Sequence, residues 1–318
     1  MILVTGGAGF IGSNIVKGLN NKGIEDIIIT DNLTNGNKHK NLNRINFNDF
    51  IDKEDFDINN FFEKNKIEAV FHQGACSSTT ESNGKYMMKN NYEYTKNILE
   101  ACIKHNVRLI YASSASVYGN GDKGFKESLE CEYPLNVYAF SKYQFDRYIT
   151  KLFSTLKIQV VGLRYFNVYG PQENHKGKMA SVAYHMFNQI KNGESMKLFE
   201  GSENFIRDFI HVDDVVSVNM FFYENRDISG IFNCGTGKAE SFCKIAEALK
   251  DIYKDAKVET IPFPDSLKGK YQTYTEADIS KLREAGYKKE FINLFDGTKK
   301  YANILETTGG YIVWVSKK

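Results

Sequence analysis

The sequence predicts an α/β protein built on a doubly wound, mostly parallel sheet. Three observations lead to this fold class. Short apolar runs alternate with longer amphipathic stretches over the first half, the runs are apolar at nearly every position, and a glycine-rich turn joins the first run to the first amphipathic stretch. Strands covered by helices on both faces are continuously apolar, and parallel neighbours need a helix-length crossover between them.

The predicted elements follow one another regularly until residue 164. Strands are predicted at 2–5, 26–30, 68–72, 108–113 and 158–163, and helices near 11–22, 53–65, 84–105 and 137–154. Beyond residue 164 the loops lengthen and three of the four prolines occur. We therefore expect a first domain over 1–164 and a smaller, mixed α/β, substrate-binding domain over 165–318. A segment near 209–234 is expected to return to the main sheet.

Composition narrows the class of protein. The 318 residues carry a net charge of +2, and the basic residues form no stripe of the kind that nucleic-acid binders use. The five cysteines show no CxxC spacing, which favours reduced thiols in a cytoplasmic protein. The chain shows no signal-peptide pattern and no apolar run long enough to span a membrane. We expect a cytoplasmic protein without nucleic-acid or membrane partners.

The glycine-rich turn has the pattern of a dinucleotide-binding loop. VTGGAGFIGSN (4–14) follows a predicted strand and opens a helix, and its glycines satisfy both GxGxxG and GxxGxxG. Glycine permits the tight turn, the close approach of a pyrophosphate and the packing of helix on strand. The pyrophosphate then binds backbone N–H groups at the helix N-terminus. This assigns residues 1–164 as a Rossmann domain, with Gly6, Gly9, Phe10, Ile11 and Gly12 against the cofactor.

The residues after the second strand leave the choice of dinucleotide open. Asp31 ends that strand, where a carboxylate accepts hydrogen bonds from a ribose 2′-hydroxyl and so favours NAD. Asn32 follows it, and Lys38 and Lys40 lie in the same amide-rich segment, where a lysine can neutralise the 2′-phosphate of NADP. The residues alone favour neither cofactor.

Small residues follow the third long strand, at the edge where ligands bind to open α/β sheets. This segment contributes Gln73, Gly74, Ala75, Cys76 and Ser77 to the predicted cofactor site. Cys76 is interpreted as a small side chain that permits close passage.

A tyrosine and a lysine four residues apart form the predicted chemical centre. Tyr138 and Lys142 make a YxxxK pair at the start of a predicted helix, and positions four apart share one helix face. A neighbouring ammonium favours the phenolate and lowers the tyrosine pKa. A serine from YASSASVYG (111–119), at the end of the preceding strand, can share the proton or hold a substrate oxygen.

The ordered set TGGAGFIGS, SSASVYG, YAFSK and RYFNVYGP resembles the extended short-chain dehydrogenase/reductase superfamily, in its branch that modifies nucleotide sugars. The resemblance implies that Tyr138, Lys142 and Ser114 carry catalysis, with Lys142 also on the nicotinamide ribose. Dehydratases of the superfamily carry an Asp-Glu pair after the catalytic hydroxyl, whereas this chain has Ala115 and Ser116. Dehydration is therefore not expected, and epimerases remain.

Longer segments resemble the ADP-L-glycero-D-manno-heptose 6-epimerase family. They are residues 74–97, 169–185, 198–215 and 262–272. The resemblance implies inversion at C6″ of an ADP-heptose through a 6-keto intermediate, in supply of lipopolysaccharide core heptose. It also implies tightly bound NADP, with Lys38 and Lys53 near its phosphate, and a homo-oligomer, described for the family as a pentamer. Lys176, in the HKG motif, would be the second catalytic residue beside Tyr138.

Further site residues follow from the same resemblance. Asn90, Val168 and Lys176 complete the implied cofactor site. The implied substrate site consists of Ser114, Asn167, Lys178, His185, Phe199, Glu200, Gly201, Ser202, Arg207 and Tyr271. Arg207 offers a planar set of donors that suits a diphosphate.

Three alternative functions predict sequence features that differ from those present. Metal catalysis is not expected, because the six histidines show no HxxH or HxxxH spacing. A UDP-hexose 4-epimerase shares the glycine loop, the serine and YxxxK, but it does not predict HKG after the GP turn. A non-catalytic NADP-sensing regulator on the same fold usually lacks the tyrosine or the lysine, and both are present here.

Overall fold

The computed structural model describes residues 1–264 and 272–312. Its strands are β1 Ile2–Thr5, β2 Ile27–Asp31, β3 Asp49–Asp52, β4 Ala69–His72, β5 Arg108–Ser114, β6 Val160–Tyr165, β7 Asn167–Tyr169, β8 Met196–Phe199, β9 Ile206–His211, β10 Gly230–Cys234, β11 Ala239–Ser241 and β12 Val258–Ile261. Its α-helices are α1 Phe10–Asn21, α2 Ile58–Lys64, α3 Gly84–Met87, α4 Tyr94–His105, α5 Val137–Thr150, α6 Val182–Lys191, α7 Val212–Glu224, α8 Phe242–Ile252, α9 Ser280–Glu284 and α10 Leu294–Thr308.

Seven strands form the main sheet in the order β10-β6-β5-β4-β1-β2-β3, and all of their pairings are parallel. The predicted doubly wound α/β fold is thus confirmed. The strand order reverses beside β1, which pairs with β2 on one side and β4 on the other. A crevice forms outside the carboxyl ends of the strands at such a reversal, and it is the usual ligand site of this architecture.

Successive residues of β1 belong to different apolar cores. Ile2 and Val4 pack in the cluster that contains Ile15 of α1 and Val215 of α7. Leu3 packs in the cluster on the opposite face, with residues of α4 and α5. Because side chains alternate between the faces of a strand, a strand buried on both faces must be apolar throughout.

The main sheet has an edge strand that the hydrophobic pattern did not predict. β3 pairs with β2, but only partly buried and exposed residues form it, so it lacks a continuous apolar run. The helix predicted at 53–65 begins only at Ile58, because the Asp57 side chain accepts a hydrogen bond from the Asn60 N–H and caps it there. The helix predicted at 84–105 contains a π-helical turn over Met88–Glu93, between α3 and α4.

The second half of the chain contributes to three sheets. β10 joins the edge of the main sheet beside β6. β7, β9 and β11 form a three-stranded sheet, and β8 pairs with β12. A third apolar core links β7, β8 and β9 with α6, α8 and α10. The division of the chain at residue 164 into two domains stays a prediction.

Over residues 1–264 and 272–312, we find no helix that combines the length and the apolar character needed to cross a membrane.

Candidate active site

A cavity of about 500 Å³ lies at the carboxyl ends of the central strands. Its walls come from the turn after β1, the ends of β2, β4, β5 and β6, the start of α5 and the loop after β7. This is the position expected for a ligand at the reversal of strand order.

The turn between β1 and α1 has the geometry that a pyrophosphate requires. Gly6 has a φ of +68°, and a Cβ there would lie 2.6 Å from the backbone nitrogen of Gly74. A Cβ on Gly12 would lie 2.2 Å from the Gly6 carbonyl oxygen. Gly9 is the N-cap of α1, and no side chain caps the helix there. The N–H groups at this helix start therefore point toward the cavity without a capping acceptor, and the loop fits a dinucleotide phosphate.

Both carboxylate oxygens of Asp31, at the end of β2, accept hydrogen bonds. The carboxylate accepts from the Ala8 N–H at 3.0 Å, from the Asn32 N–H at 2.7 Å and from the Lys38 ammonium at 2.5 Å. Lys38 also donates to the Asn32 carbonyl oxygen, at 2.9 Å. The carboxylate is therefore neutralised by a lysine that itself lines the cavity.

Lys53 lies near the same end of β2, outside the cavity wall. Its backbone N–H donates to the Asp31 carbonyl oxygen at 2.9 Å, and its ammonium bonds the Asn90 side chain and lies 5.2 Å from the centroid of the Tyr94 ring. Burial lowers the pKa of Lys53, an effect that Glu54 partly opposes.

Ser114, Tyr138 and Lys142 all line the cavity. The Asn136 side chain caps α5 by accepting a hydrogen bond from the Ala139 N–H, so the helix begins at Val137. Tyr138 and Lys142 are therefore one helical turn apart on the same face. The Lys142 ammonium donates to the Ala112 carbonyl oxygen at 2.8 Å, and burial lowers its pKa to about 8, against the opposing charge of Asp146.

Tyr138 is subject to two opposing effects. Burial raises the pKa of its phenol, and the neighbouring Ser114 hydroxyl opposes that rise. Ser114 also accepts hydrogen bonds from Ser116, from the hydroxyl at 2.9 Å and from the backbone N–H at 3.2 Å. Ser114 therefore lies in the cavity wall with Tyr138 and is bonded to a second hydroxyl, and groups arranged in this way can share a proton.

Lys176 enters the cavity from the loop after β7. Its ammonium lies 5.0 Å from the centroid of the Phe10 ring and 3.8 Å from Glu173 Oε2. Burial lowers the pKa of Lys176, and Glu173 raises it. The neighbouring His175 has a pKa lowered to about 4 by burial and by the charges of Lys38 and Lys176, so its ring is neutral near pH 7.

Most of the predicted cofactor and catalytic residues come together in this cavity. They are Gly6, Gly9, Phe10, Ile11, Gly12, Asp31, Lys38, Gln73, Gly74, Ala75, Ser77, Ser114, Tyr138, Lys142, Val168 and Lys176. Asn32, Lys53, Cys76 and Asn90 lie beside it without forming its wall.

The predicted substrate residues are more scattered. Asn167 begins β7, Lys178 is exposed on the loop that carries Lys176, and His185 lies on α6. Phe199 ends β8, and Glu200, Gly201 and Ser202 follow it. Buried Arg207 lies on β9, with its guanidinium 6.0 Å from the centroid of the Phe242 ring. None of these residues lines the cavity, and Tyr271 lies outside the described residues.

Seven further residues of the cavity wall were not predicted from the sequence: Ser78, Ala112, Ser113, Tyr165, Phe166, His175 and Met179. Tyr165 and Phe166 belong to the RYFN segment that carried the resemblance, and His175 precedes the predicted base. Their proximity in sequence to predicted site residues was the signal available. Ala112 is likewise close to Ser114 in sequence, but its residue type carries no chemical signal, because it contributes a backbone oxygen rather than a side chain.

The chain was compared with known proteins. The NAD dependent epimerase/dehydratase family matches residues 2–235. An ADP-L-glycero-D-manno-heptose-6-epimerase of Brachyspira hyodysenteriae is 70% identical over 318 residues, which cover 98% of this chain and 100% of the relative. The crystal structure of the Helicobacter pylori ADP-L-glycero-D-manno-heptose-6-epimerase is 32% identical with a TM-score of 0.83, covering 96% of each chain.

The fold is also shared with epimerases that act on other sugars. A UDP-N-acetylglucosamine 4-epimerase of Methanobrevibacter ruminantium has a TM-score of 0.84 at 27% identity, covering 96% of this chain and 98% of that one. Overall shape therefore does not separate the two activities, whereas the much higher identity to the heptose enzyme does. The chain belongs to the NAD dependent epimerase/dehydratase family, as a close relative of the ADP-L-glycero-D-manno-heptose-6-epimerases.

Proposed function

We propose that this protein is an ADP-L-glycero-D-manno-heptose 6-epimerase, an isomerase that converts ADP-D-glycero-β-D-manno-heptose into the L-glycero epimer and so supplies heptose for lipopolysaccharide core. The observation that carries the proposal is the 70% identity to the enzyme of that name over 98% of this chain. Two candidate acid–base groups, Tyr138 and Lys176, line the cavity that also contains the dinucleotide loop, and this supports it further.

The cofactor is a nicotinamide dinucleotide, and we propose that it is NADP. The chemistry that this group would supply at the cavity is reversible hydride transfer at C6″ of the sugar. Lys38 supports NADP over NAD, because its ammonium lies at the end of β2 and already neutralises Asp31, where a ribose 2′-phosphate needs a positive charge. Lys53 adds a second cation nearby, held by Asn90.

Tyr138 would exchange a proton with the C6″ oxygen of one epimer. Ser114 would share that proton, because its hydroxyl lines the same cavity and opposes the rise in the pKa of the phenol. We propose that the Lys142 ammonium, held by the Ala112 carbonyl, binds the nicotinamide ribose. Lys142 is only 6% exposed, so its charge is weakly screened by water.

Lys176 would serve the other epimer. The two epimers place their C6″ oxygen on opposite sides of the carbon, so a single acid–base group cannot reach both from one position. Lys176 approaches from the loop after β7, whereas Tyr138 approaches from α5. Burial lowers the pKa of Lys176, which makes proton transfer near neutral pH easier than for a surface lysine.

The ADP part of the substrate would bind toward the second half of the chain. We propose Asn167, Lys178 and His185 on the sugar side, and Arg207 on the diphosphate. Phe199, Glu200, Gly201 and Ser202 would line the nucleotide pocket. We further propose a cytoplasmic homo-oligomer, a pentamer, that requires neither membrane nor nucleic acid. Sedimentation velocity tests the oligomer, and a monomer would contradict that part.

The activity is tested with ADP-D-glycero-D-manno-heptose as substrate and with the configuration at C6″ followed by NMR. We expect inversion at C6″ and no conversion of UDP-glucose. Conversion of UDP-glucose alone would replace the proposal with a 4-epimerase.

Tyr138→Phe and Lys176→Met should each lower kcat by about 10²–10⁴-fold while the dinucleotide stays bound, since each removes one acid–base group. The matched control is Lys157→Met, on an exposed lysine away from the cavity.

A further inference from the structure

Glu173 is a fully buried carboxylate directly behind Lys176. Its relative exposure is 0%. One oxygen accepts from the Ser181 hydroxyl at 2.6 Å, and the other accepts from the Ser181 N–H at 2.7 Å. Ser181 is the N-cap of α6, so the carboxylate lies at the start of a ten-residue helix, where the helix dipole favours negative charge.

A buried carboxylate needs a positive partner as well as hydrogen bonds. Removing a charge from water costs several kcal/mol unless an opposite charge compensates it. The Lys176 ammonium, 3.8 Å from Glu173 Oε2, is the cation within ion-pair distance of this carboxylate among the described residues. The Lys176 N–H also donates to the Glu173 carbonyl oxygen at 2.9 Å, which fixes the spacing of the two side chains.

The ammonium is held on two sides. Glu173 lies behind it, and the face of the Phe10 ring lies 5.0 Å from it. Phe10 begins α1, directly after the glycine loop. A cation between a carboxylate and an aromatic face is confined to one position. Here that position is the wall of the cavity beside the dinucleotide loop.

We propose that Glu173 is a positioning residue for the epimerisation: it is the buried counter-ion that holds Lys176 at the cavity wall and retains the proton on its amine. The inference rests on the proposed function for its effect on rate, but the ion pair itself does not. The other titratable groups near Lys176 are Asp31, Lys38, Tyr138, Lys142 and His175 around the cavity, with Tyr184 of α6 and Tyr301 of α10 near Glu173.

The pairing is tested without substrate. The full-length protein, as purified with its dinucleotide, is labelled with trace acetic anhydride at a series of pH values, and the labelling midpoint of each lysine is read by peptide mass spectrometry. Glu173→Gln should lower the Lys176 midpoint by about one to three pH units, because an opposite charge at this distance shifts a pKa by that amount. The midpoint of Lys142 should not move.

Two variants control this experiment. Glu173→Asp keeps the charge and should restore most of the wild-type midpoint, which a merely structural role for the side chain does not predict. Glu130→Gln removes an exposed carboxylate and should change nothing. An unchanged Lys176 midpoint in folded Glu173→Gln would overturn the proposal.

The pH–rate profile then separates the Glu173–Lys176 ion pair from the proposed role of Lys176 as a catalytic base. In Glu173→Gln, the limb of the pH–rate profile that depends on Lys176 should move in the same direction as the labelling midpoint. A shifted midpoint with an unshifted profile would retain the ion pair and contradict the role of Lys176 as a base.

A second measurement applies if Glu173→Gln does not fold. Lys176→Met leaves the carboxylate without its counter-ion, and Glu173→Gln in that background removes the uncompensated charge. We expect the double variant to fold with a Tm equal to or above that of Lys176→Met. A double variant that fails to fold while Lys176→Met folds would overturn the counter-ion role.

Discussion

Asn41 and Gln172 exchange hydrogen bonds across 131 positions of sequence: the Asn41 amide donates to the Gln172 carbonyl oxygen at 3.0 Å, and the Gln172 amide donates to the Asn41 carbonyl oxygen at 2.9 Å. Asn41 also donates to the Ala8 carbonyl oxygen at 3.0 Å. Gln172 adopts a φ of +79°, which is unfavourable for a residue with a side chain. The pair joins the glycine loop, the segment with Lys38 and the loop with Lys176, and strained residues of this kind cluster at functional sites.

Asn41→Ala should therefore impair both cofactor retention and turnover. The substitution leaves buried carbonyl oxygens of Ala8 and Gln172 without a donor, at a cost of about 1–3 kcal/mol for each such group. We expect a lower free energy of unfolding in urea, a lower content of bound dinucleotide and a reduced kcat. Asn37→Ala, on an exposed neighbour in the same segment, is the control. Normal retention and normal turnover in folded Asn41→Ala would show that the two loops act independently.

Lys38→Ala should weaken NADP far more than NAD. The ammonium that would contact the 2′-phosphate is lost, and charged hydrogen bonds contribute about 1.5–3 kcal/mol, or roughly ten- to hundredfold in affinity. Asp31 is at the same time released to bind a ribose 2′-hydroxyl, so NAD should bind as well as before or better. Titration calorimetry on protein freed of its cofactor measures the affinities for NADP and for NAD. Lys40→Ala, on an exposed lysine, is the control, and an equal loss for both cofactors would contradict the phosphate contact.

Gly6→Ala should abolish dinucleotide binding. The new Cβ would lie 2.6 Å from the Gly74 backbone nitrogen, in a conformation with φ of +68° that costs about 1–3 kcal/mol for a non-glycine residue. Both effects distort the turn that receives the pyrophosphate. The readouts are bound cofactor and Tm, with Gly36→Ala as control, because a Cβ there meets nothing within 4 Å. Full cofactor content in Gly6→Ala would refute this account of the turn.

His72 should make stability depend on pH. Its ring is buried between the Thr5 and Thr95 hydroxyls, and burial lowers its pKa to about 3 from an ordinary 6.5. Because the folded-state pKa is the lower one, the unfolded chain takes up a proton first as the pH falls below 6.5. The stability contribution is then complete above pH 6.5 and declines by about 1.4 kcal/mol per unit toward pH 3.

His72→Gln tests this prediction, because glutamine keeps polar contact with the threonines but does not titrate. Urea unfolding at pH 7 and pH 5 should show a smaller loss of stability in the variant than in the wild type. His39→Gln, on an exposed ring, should keep the wild-type difference. Equal pH dependence in wild type and His72→Gln would show that another group is responsible.

Local sequence patterns were sufficient for the central fold and the dinucleotide loop. Continuous apolar runs predicted β1, β2, β4, β5 and β6, because these strands are buried on both faces. They did not predict β3, since an exposed edge strand needs no apolar run. The glycine spacing and YxxxK predicted that their residues would share a cavity, because each motif is set by one local element and both elements begin at the carboxyl edge of the sheet.

The sequence by itself determined strands β1, β2, β4, β5 and β6, where the dinucleotide loop lies and which side chains could carry acid–base chemistry. Only the tertiary structure decided how these residues are charged and held. Lys38 neutralises Asp31, Glu173 pairs with Lys176, and Gln172 is locked to Asn41, through side-chain contacts that no periodicity records. The physical reason is that a pKa or an ion pair depends on burial and on distances between segments remote in sequence, and these exist only once the sheet has assembled.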